Sequence, residues 1–166
     1  MKKGILITVL IGLSLCGLTG CGKEEKLIDN DRETSFSVSY QNINILPGTE
    51  FKRNAFNDQP EYSEIESCAF EGLDKVYTYD DVEITTANIN GKETIYSVYF
   101  LSENITTTEG IKLSDEKAKM IEKYGNNYDN FGNQYSYTKG IVKLAFIIEN
   151  DIINSIEYTY IVDIDY

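Results

Sequence analysis

The sequence contains no histidine and no tryptophan, and it has only three cysteines and two prolines among 166 residues. Without histidine the chain cannot form a Ser-His-Asp or Cys-His catalytic site, a histidine metal site or an imidazole proton relay. Three cysteines are too few for a four-thiolate zinc site, and no glycine-rich phosphate-binding motif is present. Catalysis is therefore not expected, and a hydrolase that uses a pair of carboxylates is the enzymatic alternative left open.

Long hydrophobic runs are also missing, except for a short one at the N-terminus. Lys2 and Lys3 precede an apolar stretch over residues 5–18, which is shorter than the about 20 residues that a membrane-spanning helix needs. A positively charged start, a short apolar stretch and small residues after it are the three parts of a secretory signal peptide. The sequence therefore predicts a signal peptide over residues 1–20.

The end of this signal peptide reads Leu18-Thr19-Gly20-Cys21 and resembles the lipobox of bacterial lipoproteins. The resemblance implies transfer of a diacylglyceryl group to the Cys21 thiol, followed by cleavage between Gly20 and Cys21. We therefore predict that the mature protein is bound to the cell membrane through the lipid on Cys21 and faces outside the cytoplasm. The predicted location is the cell surface of a Gram-positive-type bacterium.

Positive charge is scarce in the chain, which has 15 basic and 27 acidic side chains and a formal net charge of −12. Loss of residues 1–20 removes two lysines and no acid, so the mature chain carries −14. Such a chain repels nucleic acid and anionic lipid headgroups alike. Nucleic acid is therefore excluded as a partner, and no cofactor is predicted.

Charged and polar residues fill the start of the mature chain, residues 22–34, and offer no apolar face. This composition is typical of a flexible tether. We predict a lipidated tether over residues 21–34 and a single domain over residues 35–166. Cys68 is the one cysteine of this domain, and its small and aromatic neighbours favour a buried, inert thiol over a reactive one.

The predicted domain contains the same sequence pattern twice. Val76-Tyr77-Thr78-Tyr79 matches Gln134-Tyr135-Ser136-Tyr137 at an offset of 58 residues, and residues 95–100 match residues 153–158 at the same offset. Between these pieces each copy has another strand pattern, over 82–87 and 141–148, and a short polar turn, over 88–91 and 149–151. Two matches at one offset predict a duplicated unit, with copies at about 35–103 and 104–166.

Each copy is expected to begin with a helix. In the second copy Ser114 is a suitable N-cap, the residues after it carry apolar side chains at helical spacing, and Gly125 is a natural stop. The matching segment of the first copy, residues 49–57, is shorter and is followed by Pro60. The predicted fold class is α+β, with two tandem units that each consist of a helix and an antiparallel meander.

Residues 106–115, the helix that ends before Gly125 and the strands after it resemble the repeat of β-lactamase-inhibitory-protein-like domains and of the SmpA/OmlA (BamE) lipoproteins. Residues 67–79 look most like uncharacterised surface lipoproteins that carry this fold. The resemblance covers residues 36–163 and implies one curved sheet with helices on one side. It brings no shared catalytic residues, and in the inhibitor member the concave sheet binds through aromatic side chains.

Tyrosines on the predicted strands are the main functional signal, because a tyrosine on an open sheet face offers a large, rigid contact surface. Tyrosine also favours strands for packing reasons alone, so both interpretations stay open. The candidate binding face consists of Tyr77, Tyr79, Tyr99, Tyr135 and Tyr137.

The predicted function is a membrane-anchored binding module for a protein or small ligand. The alternative is an envelope-assembly or structural lipoprotein that stabilises a complex through its helices or edge strands. In that case the contact surface would include Lys117, Lys119 and Lys123.

Overall fold

The computed structural model describes residues 31–32 and 34–162. In this range an eight-stranded antiparallel sheet is accompanied by a separate two-stranded hairpin. The strands are β1 (Val38–Tyr40), β2 (Ile43–Ile45), β3 (Glu61–Glu66), β4 (Leu73–Thr78), β5 (Val82–Ile89), β6 (Lys92–Phe100), β7 (Asp129–Phe131), β8 (Gln134–Lys139), β9 (Val142–Glu149) and β10 (Ile152–Tyr160). A 3₁₀ turn lies at Arg53–Ala55, and the helix α1 spans Lys117–Tyr124.

The predicted α+β class is wrong, because the fold is mainly β and α1 is the one helix bounded within the described residues. The segment expected to form the first helix, residues 49–57, contains only the 3₁₀ turn. Asn57 and Asp58 favour turns, and Pro60 disfavours a helical residue before it. A helix confined to so few residues is not stable without strong tertiary support. The chain is therefore not built from two helix-plus-meander units.

The order of strands in the large sheet is β3-β4-β5-β6-β10-β9-β8-β7, so two four-stranded meanders meet at the β6–β10 pair. The pairing is repeated between the two halves, since Tyr77 faces Ile84 in the first and Tyr135 faces Phe146 in the second. Each half also has an irregularity in the pairing of its last two strands, a β-bulge. The strand patterns that match at 58 residues therefore occupy corresponding places in the sheet.

Each half uses the segment that precedes it to extend the edge of its last strand. Corresponding backbone hydrogen bonds of 2.8–2.9 Å join Gly48 to Ile95 and Phe51 to Glu93 in the first half, and Ser114 to Ile153 and Lys117 to Asp151 in the second. Between the halves, β6 and β10 pair over only three positions, residues 97–99 with 157–159. The preceding segments thus bind the lengths of β6 and β10 that this pairing leaves free.

The hydrophobic core lies between one face of the large sheet and a layer that contains the β1–β2 hairpin and α1. A row of large side chains crosses the six central strands on this core face: Tyr77, Ile84, Val98, Tyr158, Leu144 and Tyr137. Tyr40 of β1 packs on Tyr79, and Tyr124 of α1 packs on Phe146. On β6 and β10, the side chains of Val98, Phe100, Ile156 and Tyr158 are buried.

Helix α1 ends where the sequence predicts but begins two residues later. Gly125 ends it with a φ of 83°, and its amide donates to the Ile121 carbonyl at 2.8 Å. Ser114 is not the N-cap, because its own φ is 66° and its hydroxyl donates to Glu103 at 2.6 Å. Glu116 stands at the N-cap because residues 114–116 pair with β10. The helix begins only after that pairing ends.

The first described residues lie against the turn between β8 and β9. The Ile141 amide donates to the Ser35 hydroxyl oxygen at 2.9 Å. Gly140 has a φ of 57°, and a Cβ there would collide with the Asp31 carbonyl and the Ser35 hydroxyl, so this close approach requires glycine. The predicted signal peptide, Cys21 and most of the predicted tether lie outside the described residues.

Candidate functional site

One face of the large sheet is left without a covering layer from the described helix, the 3₁₀ turn and the β1–β2 hairpin, because these elements pack against the core face. We name the opposite surface the open face. Its central row consists of Thr78, Glu83, Tyr99, Glu157, Ala145 and Ser136, which are cross-strand neighbours in that order. The next row consists of Val76, Thr85, Ser97, Thr159, Lys143 and Thr138.

The structure separates the five tyrosines that the sequence predicts to form one binding face. Tyr77, Tyr79 and Tyr137 lie on the core face, with exposed fractions of 5%, 4% and 5%. Tyr135 belongs to the same face and is half-buried. Tyr99 lies on the open face, where it is also half-buried. The five side chains therefore do not form one contact surface, and Tyr99 alone belongs to the open face.

The buried tyrosines form part of an aromatic cluster in each half. Tyr79 contacts Phe56 with ring centroids 4.8 Å apart, and Tyr137 contacts Tyr124 with ring centroids 5.1 Å apart. The Tyr137 hydroxyl donates to the Gly125 carbonyl at 2.8 Å, and burial raises the pKa of Tyr137 to about 12. These contacts tie each meander to the segment that covers it, which is a structural role.

Two of the three lysines considered for the alternative function have partners within the chain. Lys117 Nζ donates to the Tyr135 hydroxyl oxygen at 2.7 Å and lies 4.2 Å from the centroid of that ring. Lys119 forms an ion pair with Asp115 at 2.8 Å. Lys123 is exposed. This part of α1 therefore uses its lysines for contacts with neighbouring residues more than for a free basic surface.

Glu157, at the centre of the open face, has the most informative electrostatic environment on that face. It faces Tyr99 across the β6–β10 pair, and Glu83 faces Tyr99 from the other side. Burial raises the pKa of Glu157; the Ser97 hydroxyl and Lys143 act against this rise, and Glu83 adds to it. A partly buried carboxyl with a raised pKa beside an aromatic ring is a candidate for a functional site.

We expect Glu157→Gln to stabilise the fold at neutral pH. The folded pKa lies above the unfolded one, so the favourable contribution of Glu157 is fully present below the unfolded pKa and is lost as pH rises through the folded pKa. Urea unfolding should show a higher free energy of unfolding for the variant at neutral pH, with the difference shrinking toward about pH 4. Glu122→Gln, on the exposed side of α1, is the matched control. A pH-independent effect of Glu157→Gln would contradict the raised pKa.

A second carboxyl, that of Glu93, is hydrogen-bonded to three side chains on the core side of the first half. It accepts hydrogen bonds from Lys75 Nζ at 2.7 Å, from the Tyr77 hydroxyl at 2.7 Å and from the Thr86 hydroxyl at 3.0 Å. Burial raises the pKa of Glu93, but the three donors outweigh burial and hold that pKa below its ordinary value. Glu93 borders a groove of about 390 Å³ beside β3. Its three partners indicate a structural role.

Cys68 is exposed in the loop between β3 and β4, contrary to the predicted buried thiol. The Ser67 hydroxyl accepts a hydrogen bond from the Phe70 amide at 3.0 Å, which closes a tight turn around the cysteine and keeps it at the surface. Among the residues that the structure describes, no three side chains of histidine, cysteine, aspartate or glutamate converge as metal ligands.

Sequence reasoning did not single out Glu83 and Glu157 as site residues. The alternation along β10 is sufficient to place Glu157 on the face opposite to Ile156 and Tyr158. The sequence does not reveal that β6 and β10 are neighbours, because Tyr99 and Glu157 are 58 residues apart and their pairing follows from the topology. Only this pairing brings Tyr99 between the two glutamates.

Comparison with known proteins finds no relative, since no family model, no curated protein and no solved structure matches the chain. The candidate function therefore depends on the residues of the open face and on the N-terminal sequence.

Proposed function

We propose that the protein is a lipid-anchored binding module that acts outside the cytoplasm, has no catalytic activity and uses the open face as its contact surface. The observation that carries this proposal is the position of Tyr99 between Glu83 and Glu157 at the centre of that face. Tyrosine is among the residues that most often dominate the binding energy of protein interfaces.

The anchor is supported by the lipobox-like sequence that ends at Cys21. Asp31, which contacts Gly140, follows Cys21 by ten residue steps, and a chain of that length extends over at most about 35 Å. The β8–β9 turn thus lies within that distance of the lipid surface when Cys21 carries the lipid. Between residues 31 and 162, residue 33 aside, no helix is both long and apolar enough to cross a membrane.

The dimensions of the open face fit a protein partner. The six central strands, about 4.8 Å apart and about 20–30 Å long, give a face on the order of 700 Å², near the ~800 Å² that each partner contributes to a typical interface. The residues beside Tyr99 in the next row, Thr85, Ser97 and Thr159, have short polar side chains. Tyr99 is therefore the large anchoring side chain among smaller ones.

The charge of the open face indicates the sign of the charge that a partner should carry. Glu83 and Glu157 flank Tyr99, and Lys143 is the one basic residue in the two central rows. The mature chain carries −14 in addition. A basic group of the partner placed over the Tyr99 ring would interact with both carboxylates and with the ring itself.

A site-specific crosslinking experiment on intact cells tests this function. In one variant a photo-crosslinking amino acid replaces Thr85 on the open face. In a second variant the same amino acid replaces Glu122 on α1. We expect a partner to be crosslinked from position 85 only, and Tyr99→Ala to reduce that product at least tenfold, as for a residue that dominates an interface.

Tyr128→Ala is the matched control, because Tyr128 is also a half-buried tyrosine but packs on Tyr135 of the core face. It should leave the crosslinked product unchanged. The proposal fails if the same products arise from positions 85 and 122, or if Tyr99→Ala has no greater effect than Tyr128→Ala.

A further inference from the structure

The outer strand of the first half, β3, is an exposed edge of the large sheet. All six of its residues, Glu61–Glu66, are exposed, and it ends the sheet on this side. The strand at the opposite edge, β7, has three residues. A long, exposed edge strand offers unpaired backbone groups to any chain that can extend beside it.

The hydrogen bonds beside the β3–β4 loop show which backbone groups of β3 are free. The Ser67 amide donates to the Gly72 carbonyl at 3.1 Å, so these two residues form a hydrogen-bonded pair at the end of the ladder. Hydrogen-bonded pairs alternate along an antiparallel ladder, so the odd-numbered residues of β3 direct their backbone groups toward β4. The residues whose amides and carbonyls point away from the sheet are Tyr62, Glu64 and Glu66.

The side chains at this edge combine acidic and apolar character. Large apolar side chains are exposed at Tyr62, Ile65 and Leu73, with exposed fractions of 47%, 51% and 51%. Acidic side chains are present at Glu61, Glu64 and Glu66. Glu64, Glu71 and Leu73 also line the groove of about 390 Å³ beside the strand. This surface is complementary to an extended segment that carries both basic and apolar side chains.

A second copy of the same chain fits this edge poorly. Antiparallel pairing of two β3 strands about their Glu64 residues would place one Glu64 directly opposite the other, and like charges at that position are destabilising. The mature charge of −14 on each copy adds long-range repulsion. The acidic residues thus act against self-pairing and favour a strand of opposite charge.

We propose that β3 is a docking edge for an extended, lysine- or arginine-rich segment of a partner protein. The segment adds to the sheet beside β3 and forms backbone hydrogen bonds with Tyr62, Glu64 and Glu66. Its basic side chains pair with the glutamates of β3, and its apolar ones contact Tyr62, Ile65 and Leu73. In this mode of binding, backbone hydrogen bonds provide the affinity and side-chain contacts provide the specificity.

The test uses the full chain in zwitterionic detergent micelles and a fluorescent ten-residue peptide of alternating lysine and valine. We expect saturable binding, together with slower hydrogen exchange of the β3 amides. Methylation of the backbone nitrogen at alternate peptide residues should abolish binding. Glu64→Lys should weaken binding about tenfold, while Glu122→Lys, with the same change in charge, should change it less than about twofold.

Three outcomes overturn the proposal. Equal binding of the N-methylated peptide means that attraction is electrostatic alone. Slower exchange on the open face, with none in β3, assigns the peptide to the other surface. Protection of β3 that rises with protein concentration in the absence of peptide assigns the edge to self-association. Tyr99→Ala should leave peptide binding unchanged, so the outcome is independent of the function proposed for the open face.

Discussion

Tyr137→Ser is expected to lower the free energy of unfolding by about 3–5 kcal/mol, whereas Tyr99→Ser should lower it by less than about 1 kcal/mol. Tyr137 is buried among the aromatic rings of the second half, and serine would leave a cavity there. Tyr99 is half-buried on the open face. A loss of 3–5 kcal/mol is a large part of the roughly 5–15 kcal/mol that stabilises a typical domain, so we expect Tyr137→Ser to leave little folded protein at 37 °C.

Urea unfolding of the full chain followed by circular dichroism measures both values. Tyr137→Phe serves as the conservative control, because it keeps the ring and removes only the hydrogen bond to the Gly125 carbonyl, a loss of about 1 kcal/mol. If Tyr137→Ser and Tyr99→Ser destabilised the fold equally, the assignment of the two tyrosines to opposite faces would be contradicted.

Cys21→Ser is expected to move the protein from the membrane fraction to the soluble fraction or the medium. A serine hydroxyl cannot form the thioether that the proposed lipid anchor requires, and the acidic chain has no electrostatic attraction to anionic headgroups. Fractionation of cells that express either chain, followed by immunodetection, measures the change.

Cys68→Ser is the matched control for the change at Cys21. Cys68 is an exposed thiol in the β3–β4 loop, so its replacement should leave both the fold and the membrane association unchanged. Retention of Cys21→Ser in the membrane fraction after a carbonate wash would contradict lipid anchoring at this position. Loss of membrane association in the control would point to a role for Cys68 instead.

The sequence was sufficient for much of the strand pattern. The strand patterns over residues 95–100 and 153–158 lie in β6 and β10, and the stop of α1 at Gly125 followed from a single glycine. The matching tyrosine pairs predicted strands that occupy corresponding places in the two halves. These features are local, so a short window of sequence contains their cause.

The errors arose where a local pattern allowed two outcomes. The tyrosines of β4 and β8 alternate with small or polar residues, which identifies two faces but not the buried one. The face with the larger aromatic side chains is the buried one, because its burial removes more apolar area from water. Tyr77, Tyr79 and Tyr137 therefore lie in the core. The prediction of a first helix was wrong because residues 49–51 pair with β6. Only a short segment with turn-forming residues then remains before β3. Both outcomes depend on contacts between distant segments.

The narrow junction between the two halves also bears on the order of events in folding. Inside each half every strand pairs with its neighbour along the chain, so these contacts close short loops and can form early. The junction of β6 and β10 joins residues 58 to 62 positions apart and contains only three pairs. We therefore expect two meanders to form first and the chain to reach its native topology when their last strands dock, as the late, rate-limiting step.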